Sequence, residues 1–178
     1  MQIRELTSAD LLAVSELYQN AFAGSPWFQT HSLVAVMTKL SAQFQKPGFR
    51  GIVLEEDGKV VGAHWHDILS WQMLEDERGP DIAKWLEQGG VDWRMIIWER
   101  ELLVHQDYQR RGFATALRRE FVAQLNRYHA PIVVLTRLRP DNPGTIKSAE
   151  KVGFKFTGVH IPSTDRTQFR QYWALFVG

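Results

Sequence analysis

Apolar positions recur along the chain with two periods, and the switches between them mark out the elements. Residues 2 to 6 alternate as a short strand. Thr7-Ser8-Ala9-Asp10 then offers capping oxygens ahead of Leu11, Leu12, Val14, Leu17 and Tyr18, which share one helical face. Gly24-Ser25-Pro26 interrupts that pattern, and a second helix is built on Leu33, Val34, Val36, Met37, Leu40 and Phe44. Beyond Pro47-Gly48, the runs Ile52 to Glu55 and Val60 to Ala63 flank Glu56-Asp57-Gly58-Lys59, which predicts an antiparallel hairpin continuing through His64-Trp65-His66.

The second half of the chain reads as clearly. Ile96 to Val104 forms a strand, and a regular pleat places Ile97, Glu99, Glu101 and Leu103 on one side of it, so that two carboxylates share a face. Phe113, Leu117, Phe121 and Leu125 follow at helical spacing, which leaves Arg118, Arg119 and Glu120 largely to solvent. Ile132 to Leu135 is a short buried strand. With the helix between them, these two strands form a right-handed parallel crossover. A helix from about Pro143 to Lys151 ends at Gly153, and the last two strands, Phe154 to Ile161 and Phe169 to Val177, make an antiparallel pair.

Residues 67 to 95 fit none of this alternation and read as an insertion between strands, so that one domain spans 1–178 with an insertion at about 67–95. Trp71, Trp85 and Trp93 are interleaved there with Glu75, Asp76, Glu77, Asp81, Glu87 and Asp92. From 75 to 101 there are eight acidic and four basic residues, whereas 101 to 139 carries seven arginines. Solvated faces account for such runs in general; near Glu99 and Glu101 they also point to a cationic, partly aromatic or apolar ligand.

Composition removes several classes of function. The chain has 178 residues, 44% hydrophobic and 23% charged, with a formal net charge of +1, which is too balanced for a dedicated nucleic-acid binder. The absence of cysteine excludes disulfides, thiolate metal sites and an enzyme thioester. His64 and His66, alternate residues without a third ligand, read as structural or solvated, and no metal is expected. The N-terminus has no apolar signal core and no run reaches the roughly 18 residues of a membrane span, so a cytoplasmic location without membrane association is expected.

Candidate chemistry centres on Gln109-Arg110-Arg111-Gly112-Phe113-Ala114, a loop that puts two guanidinium groups and a glycine at a helix start. Free backbone N–H groups and the positive end of the helix dipole favour phosphate there, although the loop alone reads equally well as an ordinary strand-to-helix turn. Downstream, Asn142, Glu150, Lys151, Gly153 and Phe154 lie within a second conspicuous stretch. Together the two stretches resemble the GNAT superfamily of acyl-CoA-dependent N-acetyltransferases, whose pyrophosphate loop reads Gln/Arg-x-x-Gly-x-Gly/Ala and whose later segment carries Asn, then Leu-Tyr-Glu-Lys-x-Gly-Phe. Ser148 and Ala149 stand where Leu and Tyr are usual.

The resemblance implies an α/β (α+β) fold: a mixed, mostly antiparallel sheet of about seven strands with a central parallel pair, flanked by helices. It implies acetyl-CoA as cosubstrate, with backbone groups near Leu103 and Val104 on the pantetheine arm, residues Gln109 to Ala114 on the pyrophosphate, and Asn142 on the cofactor. The implied reaction is acetyl transfer to a primary amine, a small molecule, by direct attack in a ternary complex. A carboxylate acting through water suits the base, and Glu99 and Glu101 are the candidates, with the reservation that a bulge in this strand would change which of them faces the cleft. Trp27, Phe28 and Trp93 are candidates for the acceptor wall, core anchoring being the alternative for the first two. The missing tyrosine at Ala149 supports a competing reading as an acyl-CoA-binding sensor with weak or no catalysis. Neither Gly-x-Gly-x-x-Gly nor Gly-Lys-Ser/Thr is present, which sets aside a Rossmann or P-loop scaffold. Oligomeric state stays open, a homodimer included.

Overall fold

The computed structural model describes residues 1–89, 95–125, 128, 130–162 and 169–178. Seven strands among them form one sheet: β1 (Gln2–Glu5), β2 (Arg50–Glu56), β3 (Lys59–Leu69), β4 (Met95–Val104), β5 (Ile132–Leu138), β6 (Lys155–Pro162) and β7 (Phe169–Val177). Their order is β1-β2-β3-β4-β5-β7-β6, and every neighbouring pair is antiparallel except β4 and β5. This is the mixed sheet with a central parallel pair that the sequence predicts. The hairpin between β2 and β3 turns through Asp57 and Gly58, both at positive φ (51° and 74°), as a two-residue turn matched to strand twist requires.

Helices cover both faces. α1 (Leu11–Ala23) and α2 (Leu33–Phe44) bury Val14, Leu17, Tyr18, Phe22, Val36 and Leu40 against Val53, Ala63, Trp65 and Leu103. Further along the chain, α3 (Trp71–Arg78) and α4 (Pro80–Gln88) form a second cluster with Ile96, Trp98, Val133, Leu135 and Tyr172. The opposite face carries α5 (Phe113–Leu125) and α6 (Pro143–Glu150), where Phe113, Leu117, Phe121 and Leu125 pack on Leu54, Ile97 and Val134. Each fully buried side chain of this kind contributes about 1.5–3 kcal/mol, so the apolar stripes suffice to fix these docking faces. Among the described residues, no helix is long and apolar enough to cross a membrane.

Three expectations change. β3 runs on to Leu69, its end held by the Ile68 N–H donating to the Pro47 carbonyl at 3.0 Å, so the helical connection begins at Ser70 rather than at 67. Glu99 and Glu101 do not share a face: Trp65 pairs with Glu101 and the adjacent His66 with Glu99, which makes Arg100 an extra residue, a β-bulge in β4. Arg118 does not face water; it is 1% exposed, because a buried carboxylate waits for it on the sheet.

Candidate active site

The parallel pairing of β4 and β5 stops early. It runs from Met95 opposite Ile132 to Trp98 opposite Leu135, after which β4 follows β3 and β5 follows β7. The strands part, and a cavity of about 510 Å³ opens between them, walled also by the loop after α1, the loop before α5, and α6. Both strand edges carry backbone groups with no neighbouring strand in the gap, the arrangement an extended amide-bearing ligand can exploit.

The floor of the cleft at one end is the loop that leads into α5. Arg110 and Gly112 adopt positive φ (62° and 85°), and the Ala116 N–H is bonded to the Gly112 carbonyl at 3.0 Å. The N–H groups of Phe113, Ala114 and Thr115 precede the first helical bond and so have no partner within the helix. A Cβ at Gly112 would meet nothing within 4 Å, so the space before the loop is open and the backbone alone demands glycine. Unpaired donors, the helix dipole, Arg110, and Lys147 and Lys151 across the cleft make a donor set suited to a diphosphate. Arg111 is turned aside, its guanidinium 4.9 Å from the Tyr108 ring centroid and 3.8 Å from Glu56.

The remaining candidates divide. Gln109, Phe113, Ala114, Leu103 and Val104 line the cleft, Leu103 by its backbone since its side chain lies in the core under α1 and α2. Asn142 also lines it, while its Oδ1 caps α6 by accepting from the Thr145 N–H at 3.2 Å. Trp27 lines it with the Arg139 and Arg170 guanidinium groups 4.7 and 5.0 Å from its ring centroid. Phe28 is 60% exposed and stays outside. Trp93 and Asp92 lie outside the described residues.

The bulge at Arg100 gives the two carboxylates different surroundings. Under α5, Glu99 is 3% exposed and accepts from Arg118 twice, Nε to Oε1 at 2.9 Å and Nη2 to Oε2 at 3.2 Å, while His64 Nε2 lies 3.1 Å from Oε1. Arg118 Nη1 also donates to the Thr145 carbonyl (2.8 Å) and to Ser148 Oγ (2.5 Å). Burial would raise the Glu99 pKa, but the Arg118 charge and the His64 and Arg118 hydrogen bonds outweigh it and hold the carboxyl well below its ordinary range. Glu101 emerges on the α1–α2 side, its side chain 19% exposed and paired with Lys39 Nζ at 2.9 Å; the same ammonium donates to the Tyr18 hydroxyl at 2.9 Å. Burial would lower Lys39, but Glu101 and Tyr18 outweigh it and raise Lys39 to about 12.

Arg118, which lines the cleft with Ser148, is a residue that pattern reading passes over. Arg118 sits one residue past the apolar Leu117, where periodicity assigns the edge of a solvent face; the only available signal was a carboxylate on the strand it covers. His64 and His66 pack against Phe121 with tilted rings, centroids 4.4 and 4.7 Å away, and no cluster of metal ligands occurs among the described residues.

A family model described as acetyltransferase (GNAT) family matches residues 11–154. No curated protein matches the chain in sequence. Solved structures of similar fold include the ribosomal-protein-alanine N-acetyltransferase of Brucella melitensis, with a TM-score of 0.71 at 17% identity over 99% of this chain and 100% of that one. They also include the phosphinothricin acetyltransferase of Sinorhizobium meliloti in complex with AcCoA, with a TM-score of 0.69 at 14% identity over 99% and 88%. An N-acetyltransferase from Staphylococcus aureus gives 0.69 at 15% identity over 98% and 96%.

Proposed function

The chain belongs to the acetyltransferase (GNAT) family, and from that premise we propose that it transfers the acetyl group of acetyl-CoA to a primary amine by direct attack in a ternary complex. The observation that carries this reading is the parting of β4 and β5 directly above an open, donor-rich loop at Gly112. In it, Gln109, Arg110, Gly112, Phe113 and Ala114 with the start of α5 hold the pyrophosphate, Arg111 being turned aside, backbone groups at Leu103 and Val104 pair with the pantetheine amides, and Asn142 flanks the same arm. Acetyl-CoA supplies an acetyl group activated as a thioester.

What the chain's own residues contribute follows from their surroundings. The amine must be neutral to attack, and Glu101, through water, takes the proton on the side of the cleft that faces α1. Glu99 keeps its charge and both oxygens engaged, so its part is to fix Arg118 and Ser148 in the wall. No hydroxyl is available at Ala149, which is fully buried in the core. A thiol leaving group, with a pKa of about 8.5 by analogy with cysteine, needs little help near neutral pH, and the buried Ser148 hydroxyl gives its proton to the Thr145 carbonyl at 2.8 Å. The acceptor in this reading is a small molecule and one domain carries the whole site. The acyl-CoA sensor is the competing reading, supported by that same Ala149.

Calorimetry with acetyl-CoA tests the cofactor assignment. Gly112→Glu places a carboxylate, at a strained φ, in the space the loop leaves open, and binding should weaken at least tenfold, roughly 1.4 kcal/mol. A folded variant that binds as tightly as the parent overturns it. Thiol release with an amine panel then separates the two readings, since a sensor binds acetyl-CoA and releases nothing.

A further inference from the structure

Among the described residues, the acidic excess read in residues 75 to 101 does not reach the cleft as free negative charge. Glu99 is taken by Arg118 and Glu101 by Lys39, while Glu75 and Asp76 are exposed on α3. What the acceptor side of the cleft presents is the opposite sign. Arg78 and Arg137 converge on Trp98, their guanidinium carbons 4.1 and 5.7 Å from the ring centroid, with Arg100 beside them on the bulge.

The counter-charges within this group are already occupied. Asp67, fully buried, accepts Arg100 Nε through both oxygens (2.9 and 2.8 Å) and has Lys46 at 4.0 Å. Glu77 accepts from Arg100 Nη1 (3.0 Å), Arg78 Nη2 (3.0 Å) and Lys46 Nζ (2.9 Å). Even with the exposed Asp81, whose charge also acts on Tyr172, four cations face three carboxylates among the described residues. Two donors are left over. Arg78 Nε is buried without a hydrogen-bond partner, and Arg137, exposed in the cleft wall, has its charge beside Tyr172 and forms no ion pair among the described residues. Burial, with Arg100 and Arg137 alongside, pushes Arg78 down to about 10, the response of a crowded cation short of counter-charge.

A planar guanidinium exposed in a cleft beside an aromatic face is a carboxylate receptor. Arg137 and Trp98 flank the point where β4 and β5 part, and Trp98 belongs to the sheet face on which Glu101 emerges beyond the bulge. Resting on the acetyltransferase reading, we infer that the acceptor is a small amino acid, its amine directed to the split strand and its carboxylate received by Arg137, with Arg78 against the same Trp98 ring. The surplus of cations thus replaces the cationic ligand that the sequence alone pointed to.

The test compares neutral amino acids with their carboxamides, pair by pair, as acceptors for protein saturated with acetyl-CoA, with thiol release as the signal and calorimetry confirming that acetyl-CoA is bound. The acids should exceed the amides in kcat/KM by about tenfold or more, the worth of a charge-assisted hydrogen bond at a partly exposed site. Arg137→Gln, an exposed substitution, should bring that ratio close to one, and Arg137→Lys should restore part of it. Equal rates for acid and amide, a ratio unchanged in Arg137→Gln, or no thiol release from any pair while acetyl-CoA is bound each overturns the inference. Failure to bind acetyl-CoA at all is distinguishable from these and brings down the underlying reading as well.

Discussion

Two glutamates two residues apart on β4 occupy opposite environments, and the difference separates what holds the cleft from what can act in it. Glu99 lies beneath α5 at 3% exposure, with both oxygens engaged by Arg118 and with His64 beside one of them. Glu101 opens toward α1 and α2, with one lysine partner. A single bulged residue, Arg100, produces the contrast, because an extra residue reverses the side to which the rest of the strand points. A carboxylate locked in low dielectric by a bidentate arginine has little basicity left to offer; one at the cleft wall keeps access to water.

The sharpest way to break the comparison is to remove Arg118. Arg118→Ala leaves Glu99 buried without its bidentate partner, with only His64 beside it, and also removes the donor that the Thr145 carbonyl and the Ser148 hydroxyl accept from, so stability should fall by about 3–5 kcal/mol. Urea denaturation measures it, and the double variant Arg118→Met with Glu99→Leu should recover most of the loss, since an apolar pair of similar volume removes both desolvated charges. A cost below about 1 kcal/mol for Arg118→Ala would mean that Glu99 is not the lock described.

Glu101→Gln sharpens the other half. The pair with Lys39 is partly exposed, so its loss should change stability by no more than about 1 kcal/mol. Turnover with the best amine should nevertheless fall by roughly 10²-fold, the low end of general-base contributions, and the loss should shrink as pH rises and the amine deprotonates in solution. A variant with unchanged kcat across pH removes Glu101 as base.

How much of this was readable beforehand follows from the kind of signal each feature leaves. Strand and helix order, the Asp57-Gly58 turn and the loop at Gly112 are written in local periodicity and in residues with special backbone freedom, and the structure reproduces them. The bulge was not readable in position, since Trp98-Glu99-Arg100-Glu101 fits a regular pleat as well as a broken one, and only pairing with β3 decides between them. Arg118 was misassigned for a related reason: a buried charge is indistinguishable from a solvated one until its partner is known. The same holds for Glu77 and Asp67, whose charges are taken up by Arg100, Arg78 and Lys46.

The smallest expected effect concerns His66, which shares the α5 side of the sheet with Glu99 but has no such partner. Its Nδ1 is buried without a hydrogen bond, and burial, with His64 and Arg50 adding, pushes the ring down to about 3 from an ordinary 6.5. The folded chain therefore keeps His66 neutral where the unfolded chain binds a proton. Its contribution to stability is fully present above pH 6.5 and is lost progressively as pH falls from there toward about 3. Between pH 7 and 5.5 this amounts to about 1 kcal/mol, the proton-uptake free energy of one group with an unfolded pKa near 6.5. Replacing His66 by phenylalanine keeps a ring against Phe121 and removes the titration. Denaturation series on parent and His66→Phe should run parallel above pH 7 and diverge below 6.5, with the variant losing less. Glu99 has a depressed pKa too, so its stabilisation is lost only as pH falls below the ordinary carboxylate range. The interval from 6.5 to 5.5 thus isolates the histidine, and curves that stay parallel through it would show that His66 takes up its proton in the folded chain.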